Sequence, residues 1–106
     1  MANQHRGEIE AVFNDEPYTL CLTLGALAEL ESTLGVNDIL ALGQRFQNGV
    51  LSAQDILALL KAGLRGGGHM LNDTQVANLQ HENGLYGAIH TVVALLKITF
   101  GETANP

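Results

Sequence analysis

The hydrophobic pattern changes its period within residues 18–35. Apolar and polar side chains alternate over residues 18–23, which is typical of a strand. From Leu24 onward the apolar residues recur every three or four positions, as on one side of a helix. The pattern predicts a strand that runs directly into a helix, with Thr23 as the N-terminal cap and Gly35 at the C-terminal end. The apolar stripe of this helix is predicted to consist of Leu24, Leu27, Leu30 and Leu34.

A second alternating segment lies just before this one, over residues 8–13. Residues 14–17 have the composition of a turn, so an antiparallel β-hairpin is the simplest interpretation. A two-stranded hairpin is marginally stable alone and needs helices on its apolar face. The inward side chains of the first strand are predicted to be Ile9, Ala11 and Phe13.

Glycines divide the rest of the chain into apolar segments of helical period, and five helices are predicted in all. The first covers residues 24–34, the second about 38–47, the third starts after Ser52, the fourth covers about 73–79, and the fifth covers 85–100. In the second helix, Asn37 is the predicted cap and Asn48-Gly49 the stop. Its predicted inward residues are Ile39, Leu42 and Phe46. The predicted stripe of the fifth helix is Leu85, Ile89, Val92, Leu96 and Phe100, widened by Ala88, Val93 and Leu95.

Two helix starts carry a reciprocal capping pattern. Ser52 is followed three residues later by Asp55, and Asn72 by Gln75, so each pair can satisfy two backbone amides. The third helix is apolar around more than half of its circumference and is predicted to be the most enclosed. Glycines within helices each cost stability, and we interpret them as points of close helix approach. These glycines are Gly25, Gly43, Gly63 and Gly87.

The fold class that follows is α+β, mainly α-helical, with an N-terminal antiparallel β-hairpin packed on about five helices. A chain of 106 residues is long enough for one core, so a single domain is expected over residues 1–106. Within it we expect a disordered segment at 1–6, the hairpin at 7–23, the helical body at 24–100 and a tail at 101–106.

Charge and composition limit the classes of partner. The net charge is −6, and the first 35 residues hold six acidic residues against Arg6 alone, so this end would repel a phosphate backbone. Nucleic acid is therefore not an expected partner. A single cysteine excludes an internal disulfide and a zinc–cysteine cluster. We find no leader pattern and no apolar run of about 18 residues, so no membrane partner is expected and the cytoplasm is the predicted location.

Candidate chemistry is sparse. The four histidines lack the spacing of a metal site, and no acid–base pair or activated nucleophile is apparent, so we predict no catalysis, metal or cofactor. The one unusual segment is a glycine-rich stretch at residues 65–69. It follows a helix and lacks a Gly-Lys-Ser/Thr sequence, so it is not a phosphate-binding loop. We predict a flexible hinge or a partner-binding loop formed by Arg65, Gly66, Gly67, Gly68 and His69.

Three stretches carry a resemblance to a known family. They are RGEIEAVFNDEPYTLCLTLGALAELE at residues 6–31, LSAQDILALLKAGLRGGGH at 51–69 and HTVVALLKITFG at 90–101. With these, residues 6–100 resemble the tail tube or tail assembly chaperone family of gene transfer agents and related tailed bacteriophages. The resemblance implies either a component of the tail tube or a chaperone that coats the tape measure protein and delivers tube subunits.

Between these two functions the predicted elements favour the chaperone. A tube of stacked rings joined by continuous sheet needs many strands, whereas this sequence predicts one hairpin. A chaperone would bind the tape measure protein and the tail tube protein through an apolar helical surface in the cytoplasm, with homo-oligomerisation as a further expectation. The alternative is a structural tail tube or tail terminator component retained in the particle, located in the virion tail. A small enzyme that uses residues 65–69 is a third, weaker hypothesis.

Overall fold

The computed structural model describes residues 2–47 and 50–101 and contains, within them, two strands and five α-helices. The expected class is confirmed: a mainly helical α+β fold with an N-terminal antiparallel hairpin on the helices. Asn48 and Gly49, the predicted stop of the second helix, lie outside the described residues, as does most of the expected tail. The elements are β1 (Glu8–Phe13), β2 (Glu16–Cys21), α1 (Leu24–Leu34), α2 (Ile39–Gln47), α3 (Ala53–Gly66), α4 (Asp73–Ala77) and α5 (Gly84–Phe100).

The hairpin turns through Asn14 and Asp15 alone. Both residues have positive φ, 53° and 66°, which suits a two-residue type I′ turn and the short polar side chains found there. The register places Ala11 opposite Tyr18. The predicted hairpin is confirmed, although β2 begins at Glu16, inside the segment predicted as turn.

One face of the hairpin lies on the helices. Helix α5 contacts β1, and α3 contacts β2. Because residues two apart on a strand share a face, Glu8 and Glu10 lie on the opposite face, together with Thr19 and Cys21, which are paired with them. The inward face supplies Ala11, Phe13 and Leu20 to the core, and Leu22 joins them just beyond β2.

The predicted ends of α1 are confirmed. The hydroxyl of Thr23 accepts a hydrogen bond from the Ala26 amide (3.1 Å), and Gly35 has the left-handed φ of 69°. The capping patterns at α3 and α4 are also confirmed, because in each the cap side chain and the third helical residue bond each other's backbone amides. These signals are local in sequence, which is why they could be identified from it.

Helix α3 lies at the centre of the fold and contacts β2, α1, α4 and α5. The prediction of a highly enclosed third helix is confirmed, since six of its residues are buried. Gly63 permits a close approach, because a Cβ atom there would lie 2.7 Å from Leu95 Cδ2. At Gly25 the same hypothesis is wrong: the nearest group to a Cβ atom would be the Thr23 hydroxyl at 3.8 Å.

Three residues predicted to face inward are exposed instead. Leu24 and Leu85 are 76% and 70% exposed, and Ile39 is also exposed. Each lies in the first turn of its helix. Side chains on a helix tilt toward its N-terminus, so those in the first turn extend past the helix end instead of over the core.

The buried side of α5 also differs from the predicted stripe. Val92 and Leu95, both part of the predicted stripe, are buried as expected, but Gly87 and Thr91, which were not part of it, are buried as well. A Cβ atom at Gly87 would lie 2.1 Å from the ring of His81, which shows that α5 approaches its neighbours through small residues. Hydropathy does not mark such residues, and the prediction therefore missed this part of the contact.

Smaller corrections concern the element ends. The cap of α2 is Asp38, whose carboxylate accepts from the Ala41 amide (2.7 Å), and not Asn37. Helix α4 ends at Ala77, two residues before the predicted end. The structure also has a 3-10 turn at Gln4–Arg6, and the disorder expected over residues 1–6 stays a prediction. Reciprocal bonds hold this turn, because the Asn3 amide donates to the Glu8 carboxylate (2.9 Å) and the Glu8 amide to the Asn3 carbonyl (3.1 Å).

Candidate functional site

The glycine-rich segment at residues 65–69 packs against the outer edge of β2. Helix α3 continues through Gly66, and Gly67 follows it directly. A Cβ atom on Gly66 would lie 1.8 Å from the carbonyl oxygen of Cys21, and one on Gly67 would lie 1.9 Å from that of Thr19. Only glycine permits this approach, so the two residues have a structural role that the sequence did not reveal.

His69 completes the cover of the same strand edge. Its Nε2 atom accepts a hydrogen bond from the Thr19 amide (3.1 Å), and its ring packs edge-to-face on Tyr18 with the centroids 4.9 Å apart. The Arg65 guanidinium lies 3.6 Å from the Glu29 carboxylate, and its side chain is 40% exposed. The structure thus brings the five predicted residues together, and partner binding by them stays a prediction.

The outer edge of β1 is covered at both ends but not in the middle. The Glu8 amide donates to Asn3, and at the other end the Glu82 amide donates to the Val12 carbonyl (3.1 Å). In an antiparallel strand, each residue directs its N–H and its C=O to the same edge of the strand, and successive residues alternate between the two edges. Glu10 therefore presents its N–H and C=O to this edge. Within residues 2–47 and 50–101, no backbone–backbone hydrogen bond reaches Glu10 from outside the hairpin.

At the Val12 end of β1, the residues that cover the strand edge continue the sheet for a short length. The Asn14 amide donates to the Gln80 carbonyl (2.9 Å), and the Gln80 amide donates back to the Asn14 side chain (3.1 Å). Phe13 and His81 form an isolated antiparallel bridge, and their rings meet edge-to-face with the centroids 5.2 Å apart. Residues 80–82 thus occupy the position of a third strand for a short length.

A groove of about 530 Å³ opens between the uncovered part of β1 and helix α5. Residues 8–10 form one wall, and His81 and Asn83 lie at the end where α5 begins. Glu8 and Glu10 belong to this wall, although their side chains lie on the face of the hairpin directed away from the helices, and among the described residues neither lysine nor arginine lines the groove. The α5 wall consists of Tyr86, Gly87, His90, Thr91 and Ala94. Sequence reasoning missed this groove, because it depends on how α5 packs against the hairpin.

Several large apolar side chains are exposed elsewhere on the surface. A monomer commonly exposes single apolar residues. Large apolar side chains that are 70–80% exposed can nevertheless be covered by a partner. They occur on α1, α2 and α5 and in the segments between helices. The residues are Leu24, Ile39, Leu40, Val50, Met70, Leu85 and Tyr86.

Two acidic side chains, Asp55 and Asp73, have structural partners. Asp55 is nearly buried, which by itself disfavours its charged form, but bonds from the Arg45 guanidinium (2.9 Å) and the Ser52 amide (3.1 Å) lower its pKa. Lys61 pairs with Asp73 at 2.6 Å and lowers the pKa of that exposed carboxyl.

The single cysteine is not an activated nucleophile. Burial, with the nearby charge of Glu8, raises the pKa of the Cys21 thiol, so the reactive thiolate becomes rarer. Burial also raises the pKa of Tyr18, as does its neighbour Glu16. Across residues 2–47 and 50–101, no three histidine, cysteine or acidic side chains converge as metal ligands would. In the same ranges, none of the helices combines the length and apolar character required to cross a bilayer.

These features define a small protein whose distinctive surfaces suit contact with other polypeptides. The family model described as "Phage tail tube protein, GTA-gp10" matches residues 6–102, and the chain belongs to this family. It is therefore a component of a phage-like tail, as the resemblance implied. The description supports the tail tube alternative, and it does not support the chaperone function that we favoured from the sequence. No curated protein and no solved structure shows significant similarity to the chain.

Proposed function

We propose that this chain is a structural component of the tail tube that remains in the assembled particle. The observation that carries the proposal is the family match, which spans residues 6–102 and has a tail tube description. A tube component works by contacting copies of itself and neighbouring tail proteins, so the expected location is the tail of the particle. Catalysis has no part in this function, and the absence of enzymatic activity stays a prediction.

The surface supports a function based on contacts with other proteins. Leu40, Met70 and Tyr86 are each more than 70% exposed, and they belong to different parts of the fold. A subunit enclosed by neighbours on several sides would bury such residues, since burying one large apolar side chain is worth about 1.5–3 kcal/mol. Self-association and contacts with other tail proteins are therefore part of the proposal.

A second candidate is a tail assembly chaperone that binds the tape measure protein and is absent from the finished particle. The observation that favours it is the small sheet: β1 and β2 form a two-stranded sheet in the described part of the chain. A tube wall joined by continuous sheet needs more strands than these, whereas a helical subunit can bind another polypeptide through a groove.

Quantitative mass spectrometry of purified particles separates the two candidates. If the chain is a tube component, its copy number per particle should be comparable to that of other tail proteins and should persist through gradient purification. A truncated tail lacking tube subunits is expected when the gene is deleted. Absence from purified particles, with abundance in the lysate from the same cells, would overturn the proposal and favour the chaperone. The capsid protein provides the internal standard for both samples.

A further inference from the structure

We propose that the groove between β1 and α5 binds an extended segment of a different polypeptide, which pairs with the edge of β1 at Glu10. The segment carries a lysine or arginine between two apolar residues. This inference rests on the geometry of β1 and α5 and does not depend on whether the chain stays in the particle.

The backbone at the edge of β1 can accept one short strand. Glu10 directs its N–H and C=O outward, and no described residue outside the hairpin pairs with them through its backbone. Asn3 and Glu82 occupy the edge at Glu8 and Val12, and so they set the limits of any added strand. From Glu8 to Val12 the edge spans about 14 Å, and the three residues between these limits leave space for a short segment whose central residues pair with β1. Strand addition of this kind is a common mode of peptide recognition.

The side chains define what the segment should contain. A residue opposite Glu10 shares its face of the sheet, which is the face directed away from the helices. The Glu10 side chain is exposed and has no ion pair within residues 2–47 and 50–101. A lysine or arginine of the added segment, placed directly opposite Glu10, would form an ion pair with the Glu10 carboxylate.

The two flanking residues of the segment point the other way, toward α5. There the wall includes Ala94, whose small side chain leaves room, and Tyr86, a residue that is 78% exposed and can cover an inserted group. Apolar side chains fit this position because they would replace water against a surface that is mainly carbon. The recognised pattern is therefore apolar–basic–apolar.

A second copy of this chain is a poorer occupant. If two β1 edges paired antiparallel about Glu10, the two Glu10 side chains would lie directly opposite each other, and like charges there are destabilising. The net charge of −6 adds to the repulsion between copies. Charge complementarity thus favours a basic segment of another protein over self-pairing at this edge.

The proposal is tested with the ¹⁵N-labelled full-length chain and the peptide acetyl-Thr-Val-Lys-Val-Thr-amide at millimolar concentration. In the free chain, the Glu10 amide should exchange with solvent faster than those of Ile9 and Ala11, which face β2. On addition of the peptide, the Glu10 exchange should slow, and chemical shifts should change mainly in residues 8–12 and 86–94. A free Glu10 amide as protected as that of Ala11, or no shift change in these residues, would overturn the proposal.

Two controls separate strand pairing from general attraction. A peptide methylated on the lysine backbone nitrogen cannot donate to the Glu10 carbonyl and should not bind. The Glu10→Lys variant should bind the lysine peptide about three- to tenfold more weakly and should prefer a peptide with glutamate in its place. Glu31→Lys on α1 makes the same charge change outside the groove and should have little effect. Equal weakening by both variants, or undiminished binding of the methylated peptide, would contradict strand pairing, and neither result depends on the composition of the particle.

Discussion

The Nε2 atom of His69 accepts the amide proton of Thr19 at 3.1 Å, and this bond joins two residues that lie 50 positions apart. It covers the edge of β2 that would otherwise be open to solvent or to another strand. Together with the close approach of Gly66 and Gly67, it makes the end of α3 and the hairpin one unit. An unpaired strand edge invites aggregation, so this cover also protects the fold.

Replacing His69 by alanine should destabilise the fold, because the half-buried Thr19 amide loses its acceptor and Tyr18 loses its ring contact. The expected cost is about 1–2 kcal/mol, which lowers the melting temperature by roughly 5–10 °C. Thermal denaturation followed by circular dichroism measures this. His5→Ala is the matched control, since His5 is exposed and should change the melting temperature very little. Equal melting temperatures for the two variants would show that the bond to Thr19 contributes nothing.

Alanine at Gly67 should be far more damaging. Its Cβ atom would lie 1.9 Å from the Thr19 carbonyl oxygen, and backbone atoms cannot move aside as a side chain can. We expect a loss of more than about 3 kcal/mol, measured by urea denaturation. At Gly25, where a Cβ atom meets only the Thr23 hydroxyl at 3.8 Å, alanine should instead stabilise α1 by about 0.5–1 kcal/mol. Effects of the same sign at both glycines would disprove this account.

The stability of the fold should depend on the ionisation of Asp55. Its pKa is lowered in the folded chain, so its contribution is present above the unfolded value of about 3.9 and is lost as the pH falls through the folded value. At pH 7, Asp55→Asn should cost about 1–3 kcal/mol, because Arg45 and the start of α3 lose a buried carboxylate. The difference in the free energy of unfolding between Asp55→Asn and the unmodified chain should become smaller below about pH 4.

Asp38→Asn is the control for this measurement. Asp38 caps α2 in an exposed position, and asparagine caps a helix about as well as aspartate, so little change is expected at either pH. Urea denaturation at several pH values compares the three chains. A cost of Asp55→Asn that remained constant down to pH 3 would contradict the role assigned to its charge.

Which helices and strands could be predicted depends on how far apart in sequence the residues that define them lie. Strand alternation, the capping pairs at Ser52 and Asn72, and the glycine that ends α1 involve residues a few positions apart, so each could be identified in the sequence. The predicted apolar stripes were only partly right, because a stripe gives the period of a helix but not the side on which small residues permit contact. Leu85 and Gly87 on α5 illustrate this: the leucine was expected inside and is exposed, and the glycine is buried.

By itself the sequence determined the hairpin, the number of helices, the caps of α1, α3 and α4 and the resemblance to a phage tail family, since all of these depend on local order or on matching strings of residues. Tertiary structure decided which strand edges are covered. Gly67 meets Thr19 and Glu82 meets Val12 only when α3 and α5 have packed against the hairpin, and the groove beside Glu10 is what this packing leaves open. Contacts between residues some 50 to 70 positions apart have no local pattern, and so they appear only in the folded chain.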